Sequence, residues 1–252
     1  METDKKYKLT DEFITFGINR KLYRIEALKD FSDVKKGDKG GFVESEYNLS
    51  QKNNCWVYDD AKVYEDAKIF SNARIYGNTK IFWNAEVYDD AKVFGNARIY
   101  GNAKVFGNAN VYGDAWIFNN ATIYGNARVH GNAVVCGNAK VYGNAKVYSN
   151  AEIFSDATVV SDSDYIIFKN WWSSGRCFTW TRSNNMWKVG CFYGTGEELI
   201  AKAYKDSELS GREYERVVKY VESILKDSDK RQSLLGHLLY KLNSIICRVK
   251  RH

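Results

Sequence analysis

A six-residue unit, repeated eighteen times without an insertion, constrains the fold of this chain more than any other feature. Each unit reads Ala-x-Val/Ile-aromatic-Gly-Asn, and the run extends from Cys55 to Val160. An aliphatic residue recurs at every sixth position from Val57 to Val159, and a small residue precedes it by two positions each time. Alternation of small, polar, aliphatic and aromatic residues predicts a short β-strand whose small and aliphatic side chains point inward.

A turn is predicted after every strand. The aromatic residue is followed by pairs such as Gly-Asn, Gly-Asp, Ser-Asn or Asp-Asp, and Gly and Asn adopt positive φ at low cost. Three such turns return the chain to its starting edge, so the repeat predicts about six coils of about 18 residues with stacked inner side chains. The complete absence of proline agrees with an almost continuous ladder of backbone hydrogen-bond donors.

The repeat resembles that of the hexapeptide-repeat superfamily, whose members fold as a left-handed parallel β-helix. Residues 22–28, 37–43, 49–50, 55–58 and 189–195 also resemble the corresponding segments of hexapeptide-repeat proteins encoded by phages and prophages. The resemblance implies a mainly β fold: a left-handed parallel β-helix with an N-terminal cap and a small C-terminal α+β module. It also implies a phage origin, and some of these relatives are named acyltransferases.

Three segments follow from the position of the repeat. Residues 1–54 are predicted to form the cap, with a strand over 22–28, a turn at 37–41 and an imperfect first coil. Residues 55–164 form the predicted β-helix, and residues 165–252 form strands followed by helices. Turns of Ser, Asn and Gly delimit the predicted C-terminal strands, which are 165–168, 176–180 and 186–192.

Three helices are predicted at the C-terminal end. The first begins at Thr195 and extends to about residue 205, and a capping box of Ser210 and Glu213 begins the second. The last begins near Asp229 and carries an apolar stripe: Leu235, Leu238, Leu242, Ile245 and Val249. Packing within the chain and self-association in a short helical bundle are both open as ways to bury this stripe.

Composition excludes several classes of protein. The chain has no run of eighteen apolar residues and no apolar signal segment at its N-terminus, so we expect a cytoplasmic protein, in the host cell if phage-encoded, without a membrane span. The five cysteines are scattered, which favours reduced thiols and predicts neither a metal site nor a cofactor. Residues 165–252 hold sixteen Lys or Arg against nine Asp or Glu, whereas residues 55–164 hold ten against twelve.

One histidine lies within the repeat. Acyltransferases of the hexapeptide-repeat superfamily use a histidine general base in a cleft between subunits, so the resemblance implies that His130 is the catalytic residue of a reaction with acyl-CoA. A catalytic base needs an orienting partner and a pocket that excludes water. The sequence around His130 shows neither an inserted loop nor a neighbouring acid, so simple substitution for the Tyr or Phe of the repeat is the alternative.

Aromatic side chains are predicted to stack on the outside of the coils. Residues 18 apart lie on one face, which gives three aromatic ladders that start at Tyr58, Tyr64 and Phe70 and are flanked by Lys and Arg. Interleaved aromatic and basic residues suit the binding of bases and phosphates. The candidate binding residues on the coils and in the C-terminal module are Tyr112, Arg128, Tyr148, Trp171, Trp172, Arg176, Trp180, Arg182, Trp187 and Lys188.

The candidate residues beyond position 165 have a second interpretation, which is a small core of tryptophans with solvated basic residues. The coils carry more acidic than basic residues, so duplex DNA is not expected to bind them, because backbone binding depends on unopposed cations. A small nucleotide or a protein partner fits better. Nucleic-acid binding through the basic C-terminal module stays open.

These observations favour a non-enzymatic binding or scaffold protein. The resemblance to phage-borne proteins makes a host defence factor or a signalling nucleotide the expected target. A hexapeptide-repeat acyltransferase and a nucleic-acid-binding protein are the alternatives. Exposed rings on this scale need cover, which predicts a closed homo-oligomer, with a trimer favoured over a dimer.

Overall fold

The hexapeptide repeat folds as a parallel β-solenoid. The computed structural model describes residues 5–17 and 19–249, with side chains to residue 228 and at residues 230 and 234. Each hexapeptide forms one two-residue strand, and strands 18 residues apart pair in parallel. Three strands complete one coil, as in the left-handed parallel β-helix that the resemblance implies.

Three sheets run along the solenoid and define its faces. The strands up to the end of the repeat are β1 (Tyr7–Phe16), β2 (Arg20–Ala27), β3 (Lys39–Val43), β4 (Trp56–Val57), β5 (Lys62–Val63), β6 (Lys68–Ile69), β7 (Arg74–Ile75), β8 (Lys80–Ile81), β9 (Glu86–Val87), β10 (Lys92–Val93), β11 (Arg98–Ile99), β12 (Lys104–Val105), β13 (Asn110–Val111), β14 (Trp116–Ile117), β15 (Thr122–Ile123), β16 (Arg128–Val129), β17 (Val134–Val135), β18 (Lys140–Val141), β19 (Lys146–Val147), β20 (Glu152–Ile153) and β21 (Thr158–Val159). Face 1 contains β4, β7, β10, β13, β16 and β19, and face 3 contains β6, β9, β12, β15, β18 and β21. Face 2 contains β3, β5, β8, β11, β14, β17 and β20, with β1 and β2 added beyond β3.

Small and aliphatic side chains fill the interior, as predicted. Every aliphatic repeat residue from Val57 to Val159 is at most 1% exposed. Val43 and Leu49 belong to the same core, and Leu49 forms a parallel bridge with Ile69. The solenoid therefore begins inside the predicted cap and has about seven turns rather than about six. The six-residue period hides this first turn, because eight residues separate Leu49 from Val57.

The two turn residues of each hexapeptide have different roles. Positive φ falls at the first turn position, as in Gly95 with φ 78°. The asparagine that follows instead stacks on its equivalent in the next coil, and Nδ2 of Asn102 donates to Oδ1 of Asn120 at 3.0 Å. The same contact joins Asn54 to Asn72, Asn78 to Asn96, Asn84 to Asn102, Asn108 to Asn126, Asn120 to Asn138, Asn126 to Asn144 and Asn132 to Asn150. Asparagine thus links the coils through its side chain.

The cap is an antiparallel hairpin of β1 and β2 that extends face 2. The strand predicted over 22–28 corresponds to β2, whereas β1 was not predicted. The turn predicted at 37–41 is wrong in its second half, because Gly40 and Gly41 lie in β3. A Cβ on Gly40 would lie 2.5 Å from the Val57 carbonyl oxygen, so glycine permits β3 to approach the first coil.

A four-stranded antiparallel sheet follows the repeat. It consists, in order, of β22 (Tyr165–Lys169), β23 (Cys177–Thr181), β24 (Met186–Val189) and β25 (Phe192–Gly194). The predicted strands match these, except that Gly190 (φ 53°) divides the last one. Trp180 pairs with Trp187 across β23 and β24, and both are at most 2% exposed. The cap, the solenoid and most of this sheet belong to one compact unit, which contains the chain up to Asn170 and residues Gly175–Tyr193.

A second compact unit contains Trp171–Ser174 and the chain from Gly194 onward. Helix α1 (Gly196–Asp206) begins at Thr195 as predicted, where a complete capping box with Glu198 is present. The two further helices predicted from Ser210 and from Asp229 are wrong, because α2 is continuous over Glu208–Val249. The predicted apolar stripe lies outside the described side chains. No helix in the described chain is long and apolar enough to cross a membrane.

Val105 is fully buried in the middle of the solenoid, so its replacement tests the assignment of inward residues. Replacement by Asp is expected to lower the free energy of unfolding by more than about 4 kcal/mol, because the carboxylate has no partner in the apolar interior. The neighbouring Lys104→Glu is the control. It replaces the surface ion pair with Glu86 (2.9 Å) by two like charges, a change of about 1 kcal/mol at this surface. Thermal and urea unfolding measure both, and an unchanged midpoint for Val105→Asp would contradict the assignment.

Candidate functional site

His130 lies within the aromatic ladder of face 1. Its ring is stacked 4.6 Å from Tyr112 and 5.7 Å from Tyr148, at interplanar angles of 8° and 14°. The ladder continues through Phe94, which is stacked 4.7 Å from Tyr112. The imidazole therefore occupies the place of a Tyr or Phe ring, with both of its faces against aromatic neighbours.

The surroundings of His130 do not assemble a general base with an orienting acid. In the described part of the chain, no hydrogen bond or ion pair joins its side chain to a carboxylate. Burial, assisted by the Arg128 guanidinium, lowers the pKa of the His130 imidazole below its ordinary value. The ring is thus mainly neutral at pH 7, which is compatible with a base but also follows from its position in the ladder.

Three of the predicted binding residues accompany His130 on face 1. Tyr112 and Arg128 line a shallow groove of about 230 Å³ together with Phe94 and Asn110. Tyr148 is 44% exposed. The ring faces of Phe94 and Tyr112 are turned toward ladder neighbours, so this groove offers ring edges and one guanidinium rather than a stacking surface.

The other predicted binding residues separate into buried and exposed sets. Trp180 and Trp187 lie in the core of the antiparallel sheet, and Lys188 is 9% exposed, with its ammonium 3.7 Å from the carboxylate of Glu152. These residues have the environment of the second interpretation, a small tryptophan core. Exposed side chains remain at Arg176, Arg182 and Trp171, while Trp172 is half-buried and packs edge-on against Tyr214.

The structure identifies two further tryptophans, Trp83 and Trp116, that sequence reasoning did not select. Both lie on or beside face 2, and they are 50% and 39% exposed. Trp83 occupies the first turn position with φ 57°, a conformation that is rare for a bulky side chain. Trp116 occupies the outward polar slot of β14. Both tryptophans depart from the repeat, and this departure is their signal in the sequence. The repeat most often has Gly or a polar residue at the position of Trp83, and most often Lys or Arg at the position of Trp116.

Trp83 lies outside the aromatic ladder and is half exposed. Its centroid lies 5.5 Å from both Phe82 and Tyr100, at interplanar angles of 68° and 77°. Phe82 and Tyr100 are themselves stacked 4.9 Å apart. An indole that is equidistant from two stacked rings and nearly perpendicular to both lies beside their edges, outside the stack, and half of its surface is exposed.

The position of Trp83 is fixed by its neighbours. Its backbone N–H donates to the Glu65 carboxylate at 2.9 Å, and the same carboxylate accepts from the Arg20 guanidinium at 2.9 Å. Asp59 and Asp89 accept in the same way from Gly77 and Gly107. An acidic residue at the first turn position thus anchors the turn of the next coil.

Cations lie in register beside Trp83. Lys80 and Arg98 pair on neighbouring strands of face 2, and Arg98 pairs in turn with Trp116. The Arg98 guanidinium lies 4.8 Å from the Trp116 ring centroid. No carboxylate forms an ion pair with Lys80 or Arg98 within the described residues. Arg98 also lines a shallow groove of about 420 Å³ with Trp116, Asp114, Asn132 and Val134.

A larger groove of about 500 Å³ follows the asparagines between the cap and face 1. It is polar, and its cations are Arg74 and Lys92. Arg74 is already held by Asp33 and Ser32, at 3.3 and 2.8 Å. The described residues contain no group of three or more His, Cys, Asp or Glu that is arranged to hold a metal ion.

Comparison with known proteins supports the β-solenoid and covers a small part of the chain. A family described as YdcK beta solenoid repeat matches residues 115–131 and 121–137, a stretch that includes Trp116 and His130. Over 62 residues the chain is 39% identical to the uncharacterized acetyltransferase YdcK of Escherichia coli (strain K12). This match spans 22% of the chain and 19% of that protein.

The lowered pKa of His130 gives a testable expectation. The imidazole should titrate below about 6.5 by NMR, and Arg128→Gln should raise its pKa. Because the pKa of His130 is lower in the folded chain than in the unfolded chain, the unfolded chain binds the proton first as the pH falls. The free energy of unfolding therefore decreases as the pH drops below the unfolded pKa. His130→Phe should lose this part of the pH dependence. A pKa of His130 at or above the ordinary value would contradict the burial of the ring.

Proposed function

We propose that the protein is a non-enzymatic binding protein whose solenoid supports a nucleotide-binding surface on face 2. The observation that carries this proposal is Trp83, a half-exposed indole outside the ladder that is held in a strained turn. Backbone strain of this kind persists where surrounding contacts impose it, and it is concentrated at functional positions.

The chemistry around Trp83 suits a nucleotide. A base stacked on an aromatic side chain contributes about 1 to 3 kcal/mol, and Trp83 is half exposed and not stacked within a ladder. Lys80 and Arg98 lie on neighbouring strands over the rings of Phe16 and Trp116, and neither has an acidic partner among the described residues, so their charges can attract phosphates. Asp114 and Asn132, in the groove beside Arg98, supply acceptors and donors for polar groups of a ligand.

The resemblance to phage-borne proteins extends this proposal to a biological role. A phage-encoded protein in the host cytoplasm that binds a signalling nucleotide would withhold it from a host defence system. A host defence protein is the other target of this kind, since exposed Trp, Tyr and Arg are also enriched in protein interfaces.

An acyltransferase that uses acyl-CoA is the second candidate function. It is favoured by the identity to a protein named as an uncharacterized acetyltransferase and by the neutral imidazole of His130. The stacking of His130 between Tyr112 and Tyr148, without an orienting carboxylate in the described chain, supports binding over catalysis.

Calorimetric titration with a panel of purine mononucleotides and cyclic dinucleotides tests the binding proposal. Trp83→Gly is the decisive variant, because glycine is the usual residue of the repeat at this position and adopts positive φ without strain. We expect wild-type protein to bind a member of the panel and Trp83→Gly to lose about tenfold or more in affinity. Trp171→Gly, which removes another exposed indole, is the matched control.

Two outcomes would contradict nucleotide binding at face 2. One is the absence of binding to the whole panel at millimolar concentration, which would favour a protein partner. The other is equal affinity of the wild type and Trp83→Gly. Acetyl-CoA is included as a separate probe: turnover of acetyl-CoA that is lost in His130→Phe and retained in Trp83→Gly would establish the acyltransferase instead.

The predicted homo-oligomer is tested separately by sedimentation equilibrium in moderate salt. We expect a closed assembly, a trimer in preference to a dimer, because the rings of three faces and the apolar Trp116 and Val134 side chains exceed what a monomer usually exposes. A monomer mass at all concentrations would rule this out. Trp116→Asp should weaken assembly if face 2 contributes to it, and Lys140→Asp on face 3 serves as the control.

A further inference from the structure

A buried lysine lies beside a buried thiol where the hairpin meets the first coil. Lys6 is 1% exposed and Cys55 is fully buried. The Lys6 Nζ atom lies 3.3 Å from the Cys55 Sγ atom, across 49 residues of sequence. Lys6 precedes β1 and Cys55 precedes β4, so the pair joins the cap to the solenoid.

Backbone contacts direct the Lys6 side chain to the thiol. Its N–H donates to Oε1 of Gln51 at 2.8 Å, and its carbonyl accepts from the N–H of Leu28 at 2.9 Å. The Nζ atom donates to the carbonyl oxygens of Cys55 (2.8 Å), Asn53 (3.3 Å) and Lys52 (3.4 Å). No carboxylate pairs with Lys6 in the part of the chain that the structure describes.

Packing alone explains neither residue. Cys55 fills the small inward slot that alanine or Thr79 occupies in every later hexapeptide, so alanine would serve equally well there. Lysine is almost never fully buried without a partner of opposite charge. Two side chains with reactive heteroatoms thus meet at a buried place, where the Lys6 Nζ atom is held by carbonyl oxygens and the repeat otherwise has alanine or threonine at the position of Cys55.

The two groups are chemically complementary. Burial lowers the pKa of the Lys6 ammonium, so the neutral amine forms more readily than in an exposed lysine, and it raises the pKa of the Cys55 thiol. The amine nitrogen has a lone pair, and sulfur becomes electrophilic when it is oxidised to a sulfenic acid. Sulfenic acids condense with nitrogen nucleophiles to form sulfenamides.

We propose that Lys6 and Cys55 form a covalent Nζ–Sγ bond when the protein is exposed to hydrogen peroxide. In the first step, peroxide oxidises the thiol: RSH and H₂O₂ give RSOH and water. In the second, the Lys6 amine attacks sulfur, the S–O bond breaks, and the hydroxyl leaves with an amine proton as water. The product is RS–NHR′, and one peroxide has been reduced to two waters.

The cross-link fastens the cap to the first coil. Peroxide reaches the fully buried Cys55 only when the start of β1 separates from the first coil. The bond therefore forms only after such an opening, and it then keeps β1 from opening again. Reduction by excess thiol cleaves the S–N bond and restores the amine and the thiol.

Peroxide treatment of the full chain, followed by tryptic peptide mapping, tests this inference. The expected product is a pair of linked peptides containing Lys6 and Cys55, lighter than the sum of the reduced peptides by two hydrogens, about 2 Da. Trypsin should fail to cleave after Lys6. Dithiothreitol should reverse both changes, and the oxidised protein should melt at a higher temperature than the reduced one.

Cys55→Ala and Lys6→Met provide the controls. Cys55→Ala places the usual repeat residue in the slot and should give neither the linked peptides nor the shift in melting. The exposed Cys191 reports in the same sample that peroxide has reacted. The inference is overturned if Cys55 carries added oxygen without a link to Lys6, if it stays reduced after Cys191 is fully oxidised, or if the linked peptides retain an extra oxygen.

Discussion

Backbone pairing between coils 18 residues apart is the constraint on which the rest of the solenoid depends. The N–H of Arg98 donates to the carbonyl of Ala115 at 2.9 Å, and that of Lys104 to the carbonyl of Ala121 at 3.0 Å. Such pairing places each outer side chain directly against its equivalent in the next coil. Every outward position therefore becomes a column, and the chemistry of a face is the chemistry of a column of similar residues.

In a column of uncharged residues, the side chains of neighbouring coils satisfy one another through hydrogen bonds or ring stacking. Asparagine both donates and accepts, so it continues a ladder, whereas aspartate only accepts. Asn72 donates to Asp90 at 3.1 Å and Asn96 to Asp114 at 3.0 Å, and each aspartate ends the run of donors. Aromatic columns close on themselves in the same way, because neighbouring rings cover each other's faces. A regular solenoid of this kind leaves little unsatisfied chemistry on its sides.

Binding capacity therefore depends on the irregular positions. Trp83 lies at a turn, outside the ladder, and is 50% exposed. Lys80 and Arg98 are neighbours of like charge in one column, so they cannot form an ion pair with each other. Arg98 packs on Trp116 instead. In the second ladder, Cys136 replaces a ring and is 2% exposed. At these positions of face 2, the side chains are therefore not paired with equivalent residues of the neighbouring coils.

The sequence predicted what the repeat controls and little of what lies outside it. The inward residues, the coils and the three ladders follow from period and alternation alone. Strand β1 was missed because its register depends on pairing with β2, and the helix boundary predicted at Ser210 was wrong because Ser207 begins the same helix earlier. The burial of Trp180 and Trp187 is likewise a matter of pairing across a sheet. Trp83 departs from the repeat in the sequence, but its position beside Phe82 and Tyr100 depends on the packing of the three rings.

The asparagine ladders also make the solenoid modular. Each coil offers the same backbone and side-chain contacts to the coil before it and the coil after it, so a block of 18 residues can be duplicated or deleted without breaking the register of the remaining columns. One such change alters the length of the solenoid by a single strand spacing, about 4.8 Å. Evolution can thus adjust the distance between the cap and the β22–β25 sheet in fixed steps, while the chemistry of both ends stays the same.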